Sequence, residues 1–400
     1  MNNDALLANY NRAPVTFVRG EGCYLFDETG KRYLDCIAGI AVCALGHSHP
    51  WIAQAVAEQA RTLVHVSNLY SHEPAGTLAR ELVERGGLDR VFFCNSGTEA
   101  NEAAIKLARK RAFRLGQSER VNIVACTGSF HGRTYGSLAA TDNAAYQEGF
   151  GPMPAGFTFT PFDDWTMLDK AIDERTAAFI VEPVQGESGV HPASVEFLAM
   201  ARYLCDARGA LLIFDEIQCG MGRLGPLFAY QRFGVKPDVI TLAKALANGL
   251  PIGAMLVTEK AADGLKPGDH GSTFGGSPIP CAAALAHLRV RDAIDLASYV
   301  GVREVQLMAR LRDLASAYPS IVGAPRGMGL LVALPVQEPY VTGELVAALR
   351  ERGVLVGTAG GTALRFAPPL IIGEEQIDEM YDMIDDVFSS LAPPTSALAG

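Results

Sequence analysis

No apolar run in this chain approaches the roughly 18 residues that a membrane-spanning helix needs. The first residues, MNNDALLANYNRAP, have neither the layout of a signal peptide nor the Arg and Ser richness of a transit peptide. A cytoplasmic protein without a membrane partner is therefore expected. Positive charge is scarce: 34 Lys and Arg stand against 44 Asp and Glu, a formal net charge of −10. That balance argues against a nucleic-acid partner and favours solubility. The eight cysteines include no CxxC pair and no metal-type spacing. Most lie among apolar neighbours and read as reduced core residues. His47 and His49, in LGHSHP, have no third ligand at suitable spacing and read as turn residues before a helix, so no metal is expected. There is no internal repeat.

What is present is a soluble globular composition, 49% apolar and 20% charged, over 400 residues. That length exceeds one average core and points to about two domains. Residues 1–50 read as short strands around a turn at Glu28-Thr29-Gly30, a segment expected to pack with the smaller domain. From 51 to 280 strands alternate with helices: VFFCN, NIVACTGSF, FTFTPF, AAFIVEPV, ALLIFDEI, DVITLAK and IGAMLVT make about seven strands. Such alternation implies an α/β domain with a mostly parallel sheet covered on both faces. Between these strands, helices are expected after Ser96 and at about 194–208, the second stopped by Gly209. Residues 281–392 change character, with long helices to about 317, strand-like LLVAL, VLVGT and ALRFA, and a last helix phased on Ile377, Tyr381, Ile384 and Phe388. This is a smaller α+β unit, and 393–400 reads as a disordered tail.

The chemistry concentrates between Ala210 and Lys244. The apolar run in ALLIFDEIQ gives way to two carboxylates and an amide, Asp215 first, and the apolar run in DVITLAKA leads to Lys244. Charges delivered at the ends of buried strands are costly without partners, and in open α/β sheets ligands bind at the carboxyl ends. A desolvated lysine has a lowered pKa, and its neutral amine can form a Schiff base; a snorkelling surface lysine is the plainer alternative. Asp215 could hold a protonated pyridine nitrogen, or could be a helix cap or metal ligand. Asn95-Ser96-Gly97-Thr98 stands before a long helix and offers a phosphate cradle, or simply an N-cap. With the aromatic ring of Phe130, these are the four parts of a pyridoxal phosphate site. Arg133 is a candidate carboxylate clamp or a surface arginine. Arg365 interrupts a strand-like run, and Glu187 could pair with an arginine or be a solvated loop charge. GMGRLG (220–225) also fits the dinucleotide fingerprint of an NAD-dependent oxidoreductase. Against that reading, Pro226 follows the third Gly, the following apolar pattern is short, and carboxylates precede the loop.

Taken together, FFCNSGTEANEAAIKLARK, SFHGRT, EPVQGESGV, FDEIQCGMGR, TLAKALANGLPIGA, HGSTFGGSP and LRFAPPL resemble the class III aminotransferases, over about residues 10–390. Within that family the resemblance is to members acting on acetylornithine in arginine biosynthesis. It implies a fold type I pyridoxal 5'-phosphate enzyme and a homodimer with active sites at the subunit interface. It also implies transfer of the δ-amino group of an acylated ornithine to 2-oxoglutarate. By the same resemblance Lys244 holds the cofactor covalently, Asp215 partners the pyridine nitrogen, and Gln218 contacts the phenolic oxygen. Phe130 stacks on the ring, and Ser96, Gly97 and Thr98 cradle the phosphate. Thr273 reaches the phosphate from the other subunit, and Ser272 beside it contacts substrate. Arg133 clamps the α-carboxylate, and Glu187 with Arg365 forms a pair whose arginine is freed for the carboxylate of glutamate or 2-oxoglutarate. Ile40 replaces the tyrosine that ornithine-acting relatives use for a free α-amine, which suits an acylated nitrogen. Ser188 stands where glycine is usual and Ser277 where asparagine is common. The alternatives are a transaminase for succinylornithine, succinyldiaminopimelate, ornithine or 4-aminobutyrate, or a racemase or aminomutase of the same fold.

Overall fold

The computed structural model describes residues 5–391, so the tail at 393–400 lies outside the described residues. A seven-stranded sheet forms its centre. In spatial order the strands are Arg90–Cys94, Gly253–Val257, Val239–Leu242, Leu211–Asp215, Thr176–Val181, Asn122–Cys126 and Phe157–Thr160. Six run in one direction, and Gly253–Val257 is antiparallel to both its neighbours. This is the mostly parallel sheet that the strand and helix alternation implies.

Side chains of a strand alternate between faces. Leu211 and Ile213 accordingly join a core with Ala103, Ala104, Leu107 and Ala108 of the helix Gly97–Arg114. Leu212 and Phe214 face the other way, against Phe197, Ala201 and Leu204 of the helix Val195–Arg208. Both faces are dry, which is why these strands read as unbroken apolar runs. The ends of Val195–Arg208 follow local chemistry. The Ser194 hydroxyl accepts from the Phe197 N–H at 3.1 Å, and Gly209 leaves the helix at φ 72°. Two residues later the strand Leu211–Asp215 starts.

The N-terminal strands Phe17–Glu21, Tyr24–Asp27 and Arg32–Asp35 form an antiparallel ladder, extended in parallel by Val354–Leu355 from the other end of the chain. The first strand expected from FVRGEGCYLFDE is in fact two, folded back at Gly22, whose φ is 56°. A second sheet joins Arg326–Met328, Leu331–Pro335, Ala363–Phe366 and Gly357–Ala359. Helices Pro278–Ala293, Leu296–Ala317, Thr342–Arg352 and Glu374–Leu391 accompany it. No helix among the described residues is long and apolar enough to cross a membrane.

Candidate active site

Three adjacent strands of the large sheet end together, and each brings a charged residue. Val181 is followed by Glu182, Asp215 closes Leu211–Asp215, and Lys244 stands two residues beyond Leu242. Lys244 therefore does not terminate its strand, as the sequence implied. It opens a single 3-10 turn, Lys244–Ala247, with φ at 43°, a conformation that costs a non-glycine residue free energy. The three residues line one cavity of about 390 Å³, with Ser96, Gly97, Thr98, Phe130, Arg133 and Gln218 also on its wall. That size suits a small organic cofactor with part of a substrate.

Asp215 is 4% exposed, and three donors hold it. Its Oδ2 accepts from Asn101 Nδ2 at 2.7 Å and lies 2.8 Å from His131 Nδ1, while Oδ1 accepts from the Ile217 N–H at 3.0 Å. Asn101 is itself fixed, donating to the His131 carbonyl at 2.7 Å and accepting from the Thr241 hydroxyl at 2.7 Å. A buried carboxylate with this many donors is oriented before anything binds.

Burial lowers the pKa of Lys244, and the carboxylates of Glu187 and Asp215 oppose that shift. Burial raises Glu182 well above the usual carboxyl range, and the Asp215 charge adds to the rise. Glu182 Oε2 accepts from the Phe130 N–H at 3.1 Å and so fixes the backbone that carries the Phe130 ring. That ring packs edge-on against Tyr146 at 6.3 Å. The Arg133 guanidinium lies over Tyr146, 3.4 Å from its centroid, and is exposed at the mouth. Gly132 makes the turn between Phe130 and Arg133 possible. Its φ is 136°, and a Cβ there would meet Thr98 Oγ1 at 2.3 Å.

Glu187, Gln218 and Arg365 form one cluster beside this cavity. Arg365 Nη1 donates to Glu187 Oε1 at 2.6 Å, to the Gly186 carbonyl at 3.1 Å and to Gln218 Oε1 at 3.3 Å, and Gln218 Nε2 donates to Glu187 Oε1 at 3.0 Å. Burial pushes the Glu187 carboxyl up, but Arg365 and Lys244 outweigh it and the net shift is downward. The pair thus holds opposite charges at the edge of the site.

Thr273 is not brought to this cavity. It is exposed and lines a separate small pocket with His65, Asn68 and His72. Ser272 stands behind the cavity wall, its hydroxyl accepting from Asn95 Nδ2 at 3.1 Å. Ile40 is 44% exposed in a left-handed turn, and Val42 two residues on lines the cavity. Ser188 Oγ donates to Gln185 Oε1 at 3.1 Å. GMGRLG does not open a crossover helix: the helix after it, Ala229–Phe233, has five residues, and Arg223 is buried against the carbonyls of Leu330 and Pro368. The dinucleotide reading fails on that geometry.

Glu182, Asn101 and the His131 contact with Asp215 join the site without appearing among the sequence candidates. Glu182 carries the same signal as Asp215, a carboxylate closing an apolar strand. Asn101 is an amide on the alanine face of its helix, four residues before Ile105 and seven before Ala108.

The donor set fits pyridoxal 5'-phosphate. The helix Gly97–Arg114 presents its N-terminus to the cavity for a phosphate, Asp215 is aimed at it for a pyridinium nitrogen, and Lys244 supplies a desolvated amine. Among the described residues no cluster of His, Cys, Asp and Glu could hold a metal ion.

Comparison with known proteins agrees. The family model "Aminotransferase class-III" matches residues 6–388. The chain is 45% identical over 382 residues to the acetylornithine aminotransferase of Methanocaldococcus jannaschii, covering 96% of this chain and 95% of that one. It superposes on an ornithine aminotransferase structure from Toxoplasma gondii, described with PLP at its active site, with a TM-score of 0.90 and 34% identity, covering 97% and 93% of the two chains. The N-acetylornithine aminotransferase of Stenotrophomonas maltophilia gives a TM-score of 0.84 and 36% identity, with 96% and 98% covered.

Proposed function

This chain belongs to the class-III aminotransferases, and from that membership we propose that it moves the δ-amino group of N2-acetyl-L-ornithine to 2-oxoglutarate. The products are N-acetyl-L-glutamate 5-semialdehyde and L-glutamate, a step of arginine biosynthesis. The observation that carries the reading is the convergence of Lys244 and Asp215 on one cavity, with the Arg365–Glu187 pair joined to its wall through Gln218. The enzyme is pyridoxal-phosphate dependent. When bound, the cofactor supplies a carbonyl that takes the amine and a ring that accepts the electron pair released at the substrate carbon.

The residues of the chain do the rest. Lys244 would anchor the cofactor, and its Nζ would remove a proton from the carbon bearing the substrate's amine. Its lowered pKa keeps more of it in the neutral form that this task needs. Asp215, locked by Asn101 and His131, keeps a proton on the ring nitrogen. Ser96, Gly97 and Thr98 would hold the phosphate, Phe130 would cover the ring, and Gln218 would contact the phenolic oxygen. Arg133 takes the α-carboxylate of the donor. Arg365 exchanges Glu187 for the carboxylate of 2-oxoglutarate, so one site serves a monocarboxylate and a dicarboxylate in turn. Ile40 suits an acylated, neutral α-nitrogen.

The protein acts in the cytoplasm as a homodimer in which Thr273 serves the neighbouring subunit's phosphate site and Ser272 beside it contacts substrate. The exposure of Thr273, and its place in a pocket other than the Lys244 cavity, support this. The test is a side-by-side measurement of kcat/KM for N2-acetylornithine, succinylornithine, succinyldiaminopimelate, ornithine and 4-aminobutyrate, each with 2-oxoglutarate. N2-acetylornithine should rank first. A higher value for any other amine moves the assignment to that donor, and turnover without a keto acid replaces it with a racemase or aminomutase.

A further inference from the structure

Beside the cavity the backbone does something rare. Ala38, Gly39, Ile40 and Ala41 are all left-handed, with φ of 50°, 63°, 67° and 60°. Three of the four are not glycine, and a left-handed turn of L-residues persists only where its surroundings over-determine it. The turn closes on itself through Ala41 N–H to Ile37 O at 2.9 Å and Val42 N–H to Ala38 O at 2.8 Å. Val42, directly after it, lines the cavity.

What holds the turn is a set of side chains that the catalytic reading does not use. Asp35 is buried, and its Oδ1 accepts from the N–H groups of Ile37 at 3.0 Å and Ala38 at 2.8 Å, the entry to the turn. Its Oδ2 lies 2.8 Å from His47 Nε2. His47 is anchored in turn by a two-bond backbone bridge to Gly22, at 2.8 and 3.0 Å. The exit is tied to the lysine loop: Asn248 Oδ1 accepts from the Leu45 N–H at 2.7 Å, and its Nδ2 donates to Gly46 O at 3.0 Å. On the other side Ala367 N–H donates to Cys36 O at 2.8 Å and Leu370 N–H to Ala44 O at 2.6 Å, binding the segment to the chain just after Arg365. The strained turn is thus spanned between the segments that directly follow Lys244 and Arg365.

We propose that Asp35 and His47 are positioning residues that hold the left-handed turn Ala38–Ala41, which places Val42 on the wall of the amine-donor subsite, and so set donor affinity without touching the reacting atoms. The inference rests on the reading of the cavity as a transaminase site. Asp35→Asn removes the charge that collects the Ile37 and Ala38 N–H groups, and His47→Ala removes the brace behind it. The turn should then relax toward right-handed backbone and the wall should shift.

The experiment is a KM-against-kcat comparison on the cofactor-loaded protein. The wild type is assayed first with the panel of amines, and the best donor is used throughout. A wrong donor assignment then shows in the wild type alone and leaves the comparison of variants intact. Asp35→Asn and His47→Ala should each raise the donor KM about tenfold with kcat within about threefold of wild type. His47→Gln, which keeps a hydrogen-bonding group, should fall between His47→Ala and wild type. All should retain cofactor through gel filtration. Adding Ala38→Gly, which makes left-handed backbone cheap at that position, should recover at least about threefold in KM in the Asp35→Asn background. Should Asp35→Asn not fold, the same rescue is read in His47→Ala. Unchanged donor KM, an equal loss in kcat and kcat/KM, or no rescue by Ala38→Gly overturns the proposal.

Discussion

Replacing Glu187 with glutamine should move the two halves of the reaction in opposite directions. Arg365 is 4% exposed and its shortest bond, 2.6 Å, is to Glu187. Two unit charges about 4 Å apart attract by about 4 kcal/mol at an effective dielectric of ~20. Glu187 keeps some contact with solvent and a neutral glutamine retains a hydrogen bond, so about half of that, ~2 kcal/mol, is lost. That is a factor of roughly thirty. On the proposed exchange of partners, 2-oxoglutarate must displace Glu187 from Arg365 before its carboxylate can bind. In Glu187→Gln that displacement costs little, and KM for 2-oxoglutarate should fall by up to about thirtyfold. N2-acetylornithine brings no carboxylate to Arg365 and leaves the guanidinium buried without a counter-charge, so kcat/KM for the amine should fall by a comparable factor. Double-displacement kinetics allow each half to be read by varying one substrate at fixed levels of the other. A change of the same sign in both halves would refute the exchange of partners at Arg365.

Lys244→Ala should retain pyridoxal phosphate, held by the helix N-terminus and Asp215, but lose at least ~10³-fold in turnover; near-normal turnover would remove Lys244 from its role. Asp215→Asn keeps the hydrogen-bond geometry with His131 and loses the charge. Its kcat should drop by roughly 10²–10⁴ with the thermal midpoint nearly unchanged, and a rate close to wild type would mean that the ring nitrogen has another partner. His47 makes stability depend on pH. The hydrogen bond to Asp35, and after it that to Cys43, raise its pKa to about 9 from 6.5. A raised folded-state pKa stabilises fully below about 6.5 and loses that contribution as pH climbs through about 9. After allowance for its partial exposure the effect is ~2 kcal/mol. Thermal unfolding from pH 6 to 10 should therefore show a fall in the midpoint that His47→Gln lacks, and parallel curves would contradict it.

Much of this molecule is legible in the chain, for identifiable reasons. Strands buried on both faces read as continuous apolar runs, so ALLIFD and DVITL declare themselves without help from the rest of the fold. Helix limits set by Ser96, Ser194 and Gly209 are local chemistry and land within a residue of the structure. What local pattern does not carry is long-range. The direction of Gly253–Val257, antiparallel between two parallel strands, depends on partners far away in sequence. The helix Thr342–Arg352 buries only Thr342, Leu345 and Leu349, too sparse a stripe to stand out. The turn Ala38–Ala41 is invisible, because AGIA has no residue except Gly39 that favours left-handed backbone, and its cause lies in Asp35, His47 and Asn248. In the site, Lys244, Asp215 and Arg365 could be picked out as charges in apolar runs. Asn101 and His131 act through Asp215, and that connection exists only once the sheet has formed.

The central claim is that one cavity joins pyridoxal phosphate, Lys244 and an acylated ornithine. The most direct test is the visible absorption of the purified protein loaded with pyridoxal phosphate, before and after N2-acetylornithine is added without any keto acid. A yellow band should be present, bleach on adding the amine and return when 2-oxoglutarate follows. A yellow band that N2-acetylornithine leaves unchanged would contradict the donor assignment, and a protein that takes up no pyridoxal phosphate at all would contradict the site.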